Sequence, residues 1–277
     1  MSTSIAAHAP LSDAWASAGV ALLAAARRAA AADEVGTRDA RVHRVRKQIK
    51  RARAHLRLAR ASLPDAEYDA RAGELRAVGR ALAPARDARV VVETLRKLAR
   101  RAPPELAPAL AEAARRQPAG HGVAWPEVSA ALDRAIEGAS ALHPPMKRRR
   151  LLRAVARVAA RARAHLAEVE RDPLATKFHA LRRRVKDLLF QMELLADVRR
   201  ARRRRVHARL DRLATLLGEE HDLTMALAAL GVTATPATFA AAADWLLARR
   251  AALRARAIRR ARRLLTTSRD LTACIAR

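Results

Sequence analysis

His43, Arg46, Lys47 and Lys50 raise the chemical question of this chain. Their spacing of i, i+3, i+4, i+7 places them on one face of an α-helix. The surrounding residues 42–58 hold seven Lys/Arg and no acid, proline or glycine. A cationic row of this kind breaks no bonds by itself. It engages anions, arginine as a planar fork for phosphate oxygens and lysine as a mobile point charge.

The same pattern returns at His179, Arg182, Arg183 and Lys186. Both copies read H-x-[VL]-R-[KR]-x-[IV]-K. Behind each follows a second landmark at a nearly equal distance, Arg86-Asp87-Ala88 in the first half and His221-Asp222-Leu223 in the second. Two landmarks repeated in the same order point to a duplicated unit. In each copy the apolar residues take a different stripe: Val42, Val45, Ile49 and Leu56, then Phe178, Leu181, Val185 and Met192. Each helix therefore has a core side and a cationic side. The chain has only six lysines, and Lys47, Lys50 and Lys186 fall in these motifs. General arginine richness does not produce that placement.

With these motifs the chain resembles the CHAD family, the conserved histidine α-helical domain, over nearly its whole length. The resemblance implies two pseudo-symmetric four-helix bundles forming one domain, a central groove lined by basic helices, and binding of inorganic polyphosphate. Carried over residue by residue, the basic face falls on His43, Arg46, Lys47, Lys50, Arg53 and Arg57, and on His179, Arg182, Arg183 and Lys186. The copies differ, because Asp187 stands where the first has Arg51. An asymmetric site is expected, with Asp187 paired to Arg183 or Arg184 at helical spacing. His43 and His179 sit where the apolar and basic sides meet, and either packing or ligand contact suits them. Asp87 and Asp222 are expected as caps or as partners orienting nearby arginines rather than as catalytic acids.

The elements that must position these residues are helices. Alanine, leucine and arginine dominate, and aromatics make up 3% of the chain, so an all-α fold is expected. Periodicity and punctuation predict helices at 11–32, from Thr37 or Asp39 to about Ser62, and at 66–83, 85–101 and 103–117. Ser12 or Asp13 is the expected cap of the first, which closes before Gly36. The stretch "PAGHGVAWP" (118–126) reads as a linker, so residues 1–117 form a first half and 146–277 a second, joined by 118–145 with a weak helix at 127–142. In the second half helices are expected at 146–170, 172–197, 201–217, 219–230 and 237–266. Asp172 and Pro173 form an N-cap and N1 pair, and Trp15, Trp125 and Trp245 are core or linker anchors. Two further arginine rows are candidates for extending the groove: Arg150, Arg153, Arg157, Arg161 and His165, and Arg249, Arg256, Arg260 and Arg263.

The formal charge of +29, from 56 Lys/Arg against 27 Asp/Glu, calls for a strongly negative partner. Nonspecific binding of nucleic acid is the alternative to polyphosphate. Against a dedicated base reader, the chain has no Asn and three Gln, and few rings to stack on bases. No P-loop, nucleophile elbow or metal-ligand spacing is present, so neither catalysis, a cofactor nor a metal site is expected. The single Cys274 excludes an internal disulfide. No secretion signal and no apolar run of about 18 residues is seen, so a cytoplasmic protein is expected, without a membrane partner and with polyphosphate granules as an implied location.

Overall fold

The structure, a computed structural model, describes residues 10–32, 38–118, 122–195, 200–233 and 236–275. Among them are eleven α-helices and no strand: α1 (Leu11–Ala31), α2 (Arg38–Leu58), α3 (Asp65–Ala81), α4 (Ala83–Ala99), α5 (Ala107–Arg115), α6 (Trp125–Ser140), α7 (Arg148–Arg171), α8 (Ala175–Leu194), α9 (Arg200–Thr233), α10 (Pro236–Leu265) and α11 (Arg269–Ile275). The fold is all-α, as its composition dictates. Gly36, the Thr37 cap, the linker centre 119–121 and the expected helix end at Asp197 lie outside the described residues.

Three local expectations are corrected. Ser12 does not cap α1: Pro10 precedes the helix, and the Ser12 hydroxyl accepts the Met146 N–H at 3.1 Å, tying α1 to the start of the second half. Asp172 does not cap α8, because its own N–H closes α7 onto the Glu168 carbonyl and its carboxylate takes Lys177 Nζ at 2.6 Å. The helix therefore opens at Ala175. The third correction concerns Gly218, expected as a break between separate helices but lying inside the continuous α9. A glycine costs a helix only about 1 kcal/mol, and buried Leu216, Leu217 and Leu223 on either side hold the rod in place.

Helices α1, α2, α3 and α6 pack together, and α7 to α11 form a second group. The expected linker stretch carries α6, which buries Val128, Leu132 and Ala135 against α1 and α3. The α4–α5 hairpin packs its own apolar cluster, Val91, Leu95, Leu98 and Leu110, on Leu223, Leu230 and Leu246 of α9 and α10. Of the tryptophans, Trp15 is buried and Trp125 lies under the Arg41 guanidinium at 3.8 Å.

Two buried polar contacts fix the frame. Glu220 is 2% exposed and receives Arg254 Nε at 2.8 Å, with Arg250 Nε 3.5 Å away. Arg254 also covers the Phe178 ring and so binds α8 to the α9–α10 pair. In the first group His55 stacks on Trp15 with ring centroids 4.4 Å apart and donates Nε2–H to the Trp15 carbonyl at 2.9 Å. Burial holds that imidazole neutral, its pKa lowered to about 4.

Gly19 is what lets the His55 ring lie there, since a Cβ at position 19 would stand 2.8 Å from His55 Cε1. Gly19→Ala is therefore expected to destabilise the fold by about 1–3 kcal/mol through overpacking, despite alanine's better helix propensity. Urea denaturation checks this, and an unchanged midpoint would mean the ring is free to move.

Candidate anion-binding site

The apolar stripes of the two motif helices are buried as their periodicity requires. Val42, Val45 and Ile49 of α2, and Phe178, Leu181 and Val185 of α8, are each 2% exposed or less. The helices pack directly on one another, and Gln191 Nε2 donates to the Ala54 carbonyl across the contact at 3.2 Å. With their apolar sides committed, their cationic sides open on a shared cleft of about 410 Å³. Arg46, Lys50, Arg53 and Arg57 line it from α2, and His179, Arg182, Arg183, Lys186, Asp187 and Phe190 from α8. The remaining wall comes from the second landmarks: Arg86, Asp87 and Val90 of α4, and His221, Asp222 and Met225 of α9.

The cleft is thus lined by eight Lys/Arg and three Asp. Asp187 is committed: it accepts Arg57 Nη1 and Arg184 Nη1, both at 2.9 Å. Of the two expected partners it takes Arg184, and it adds Arg57 from the other half. Arg46 donates to the Gly79 carbonyl of α3 at 3.1 Å. Among the described residues Lys50, Arg53, Arg86, Arg182, Arg183 and Lys186 make no ion pair. The Arg182 Nε is buried and donates to no acceptor.

Crowded like charge leaves its mark on proton affinity. Lys50 is exposed by surface area yet lines the concave cleft, where loss of solvent, then Arg46, Arg182, Lys186 and Arg86, lower its pKa to about 7. His221 lies against His179, ring centroids 5.0 Å apart, and burial followed by Arg182, His179 and Lys50 lowers its pKa to about 4. Partial burial also lowers His179 and Lys186, and partial loss of solvent followed by the charges of Arg86 and Lys50 lowers His43. Asp222 is raised by burial against the opposing pull of Arg182 and Arg86. Like charges crowded in this way repel one another, and an anion placed among them would offset that repulsion.

Of the residues singled out by sequence, His43 and Lys47 are exposed and do not line the cleft, although His43 lies in the field of Arg86, Lys50 and Lys47. His179 lines it. The arginine rows proposed to extend the groove do not reach it: Arg150, Arg153, Arg157, Arg161 and His165 lie on α7, and Arg249, Arg256, Arg260 and Arg263 on α10. The reason is topological, since the cleft is walled by α2, α4, α8 and α9 while α10 packs on α7 and α9. Arg150 instead donates to Ser62 and the Pro145 carbonyl, and His165 pairs with Glu168 at 2.9 Å. Sequence reasoning used Arg86 and His221 as landmarks of the repeat and passed over them as site residues. Their recurrence in step with the motifs was the available signal.

Among the described residues no group of three or more His, Cys, Asp and Glu is placed to hold a metal ion, and no helix is long and apolar enough to cross a membrane. The sequence profile of the CHAD domain matches residues 21–231. The structure resembles the crystal structure of the CHAD domain from the plant Ricinus communis, with a TM-score of 0.69 and 22% identity over 96% of this chain and 95% of that one. No curated protein matches the sequence.

Proposed function

The chain belongs to the CHAD domain family, and on that premise we propose that its cleft binds inorganic polyphosphate. The observation that carries this reading is six Lys/Arg that make no ion pair among the described residues, converging on one cleft from α2, α4 and α8. Polyphosphate bears charge on every unit and offers no bases. A binder therefore needs rows of donors and nothing that reads sequence, which is what α2 and α8 supply. Release of condensed counterions contributes most of the affinity and makes it salt-sensitive, as for nucleic acids.

The role is binding rather than phosphoryl transfer. Transfer enzymes of this class use carboxylates to hold metal ions over the phosphates, whereas Asp187 is engaged by two guanidiniums and Asp222 lies in the field of Arg182 and Arg86. The pseudo-symmetry of two four-helix bundles belongs to the same proposal, as does recruitment to polyphosphate granules.

The test is retention of long-chain polyphosphate by the purified chain at physiological salt. Retention that weakens steeply with added salt, with no orthophosphate released when Mg²⁺ is supplied, is the expected result. Failure to retain the polymer overturns the binding role, and Mg²⁺-dependent phosphate release overturns the non-catalytic one.

A further inference from the structure

The arginine row on α10 has no place in the cleft, and its position in the fold gives it another use. Arg256, Arg260 and Arg263 are exposed and make no ion pair among the described residues, and neither do Arg209 and Arg212 of α9. Helices α9 and α10 pack antiparallel: Gly231 meets Phe239 near the turn, and Glu220 meets Arg250 and Arg254 further along. Continuing that register brings Arg209 and Arg212 level with Arg260 and Arg263.

The two sets also point the same way. Arg256, Arg260 and Arg263 each precede a buried residue by one position (Ala257, Ala261 and Leu264), as Arg212 precedes Leu213. One residue is a turn of about 100° round a helix. In an antiparallel pair equal offsets from the packed stripe lead to the same outer side. Two rows of exposed guanidiniums therefore share one outer face, on rods whose axes lie about 8–10 Å apart.

We infer that this α9–α10 face is a second polyanion surface, built for the backbone of double-stranded nucleic acid and separate from the cleft. Paired rows at that separation suit the two phosphate rows bordering a groove about 12 Å wide, whereas a single flexible chain occupies only one row. The face offers no amide to read base edges, so its contacts are to phosphate and independent of sequence. A lipid surface is the poorer fit. The exposed side chains just before the row are the small Ala252 and Ala255, the exposed residues within it include Arg259, and the exposed Leu247, nine residues before Arg256, turns to the opposite side of α10.

The experiment titrates the full chain with a fluorescent DNA duplex of about 20 base pairs, roughly 70 Å long, and separately with long-chain polyphosphate, across a salt series. Arg256→Ala/Arg260→Ala/Arg263→Ala should weaken duplex binding on the order of 10²-fold at 0.1 M salt and lower the slope of log K against log salt by about 2.7, at roughly 0.9 per lost phosphate contact. Polyphosphate binding should stay unchanged. Arg209→Ala/Arg212→Ala, on the neighbouring helix, should weaken the duplex in the same sense, so a folding defect in one variant cannot imitate the result. The inference is overturned if wild-type chain ignores the duplex at 0.1 M salt, or if both variants keep its affinity and slope. Should polyphosphate fail to bind wild-type chain, the reading of the cleft falls and this one is still decided by the duplex.

Discussion

Lys50→Glu/Arg182→Glu is expected to abolish polyphosphate retention at physiological salt. The two side chains face one cleft from α2 and α8, and each lies in the other's electrostatic field. The double substitution removes two contacts and adds two repulsions. At about 0.7 per charge in the salt slope of a single-stranded polyanion, four charges correspond to a loss on the order of 10²- to 10³-fold at 0.1 M salt. The fold should survive, because a glutamate at either position gains arginine neighbours in place of a cationic crowd. Pull-down of labelled polyphosphate over a salt series, with circular dichroism as the control, gives the answer. Retention at the wild-type level in a folded variant rules out the cleft as the binding site.

A second large effect separates stability from binding at a single residue. Lys50→Met should raise the melting temperature of the ligand-free protein while weakening its hold on polyphosphate, because the cation is held in the cleft against its own preference. The pH dependence follows with a definite sign. The pKa of Lys50 is depressed on folding, from 10.5 to about 7, so between these values the unfolded chain binds more protons than the folded one. Stability of the free protein should therefore rise with pH across that window.

Binding runs the other way. A polyanion favours the protonated lysine, so complex formation takes up a proton and affinity should fall above pH 7, by up to about tenfold per pH unit for one such group. The depressed His221, at about 4, and His179 add proton uptake at lower pH. Isothermal titration in two buffers of different ionisation enthalpy measures the protons taken up. A binding constant flat from pH 7 to 9, or an unchanged pH profile in Lys50→Met, would sink the assignment to Lys50.

The character of each helix was legible because it is a local property. A period of 3.6 sorted Val45 and Ile49 from Arg46 and Lys50 on α2, and Leu181 and Val185 from Arg182 and Lys186 on α8, before any partner was known. Boundaries set by proline were legible for the same reason: Pro64 and Pro84 stand at the openings of α3 and α4. Caps were less so. Ser12 and Asp172 have the right chemistry for the role, but a hydroxyl goes where tertiary packing places a donor, here the Met146 N–H from 134 residues away.

An all-helical chain and two rods with one apolar and one cationic side could be read from the amino acids in order, because both follow from residue type and from contacts within a few residues. Which cations meet depends on how the helices pack. Arg57 is neutralised by an aspartate 130 residues distant, the α10 row is turned outward although its spacing is as regular as that of the motifs, and Arg86 with His221 completes the wall. Charge acts through space at distances of a few ångströms to about a Debye length, and which charges come within that reach is set by helix packing that no single stretch of sequence encodes.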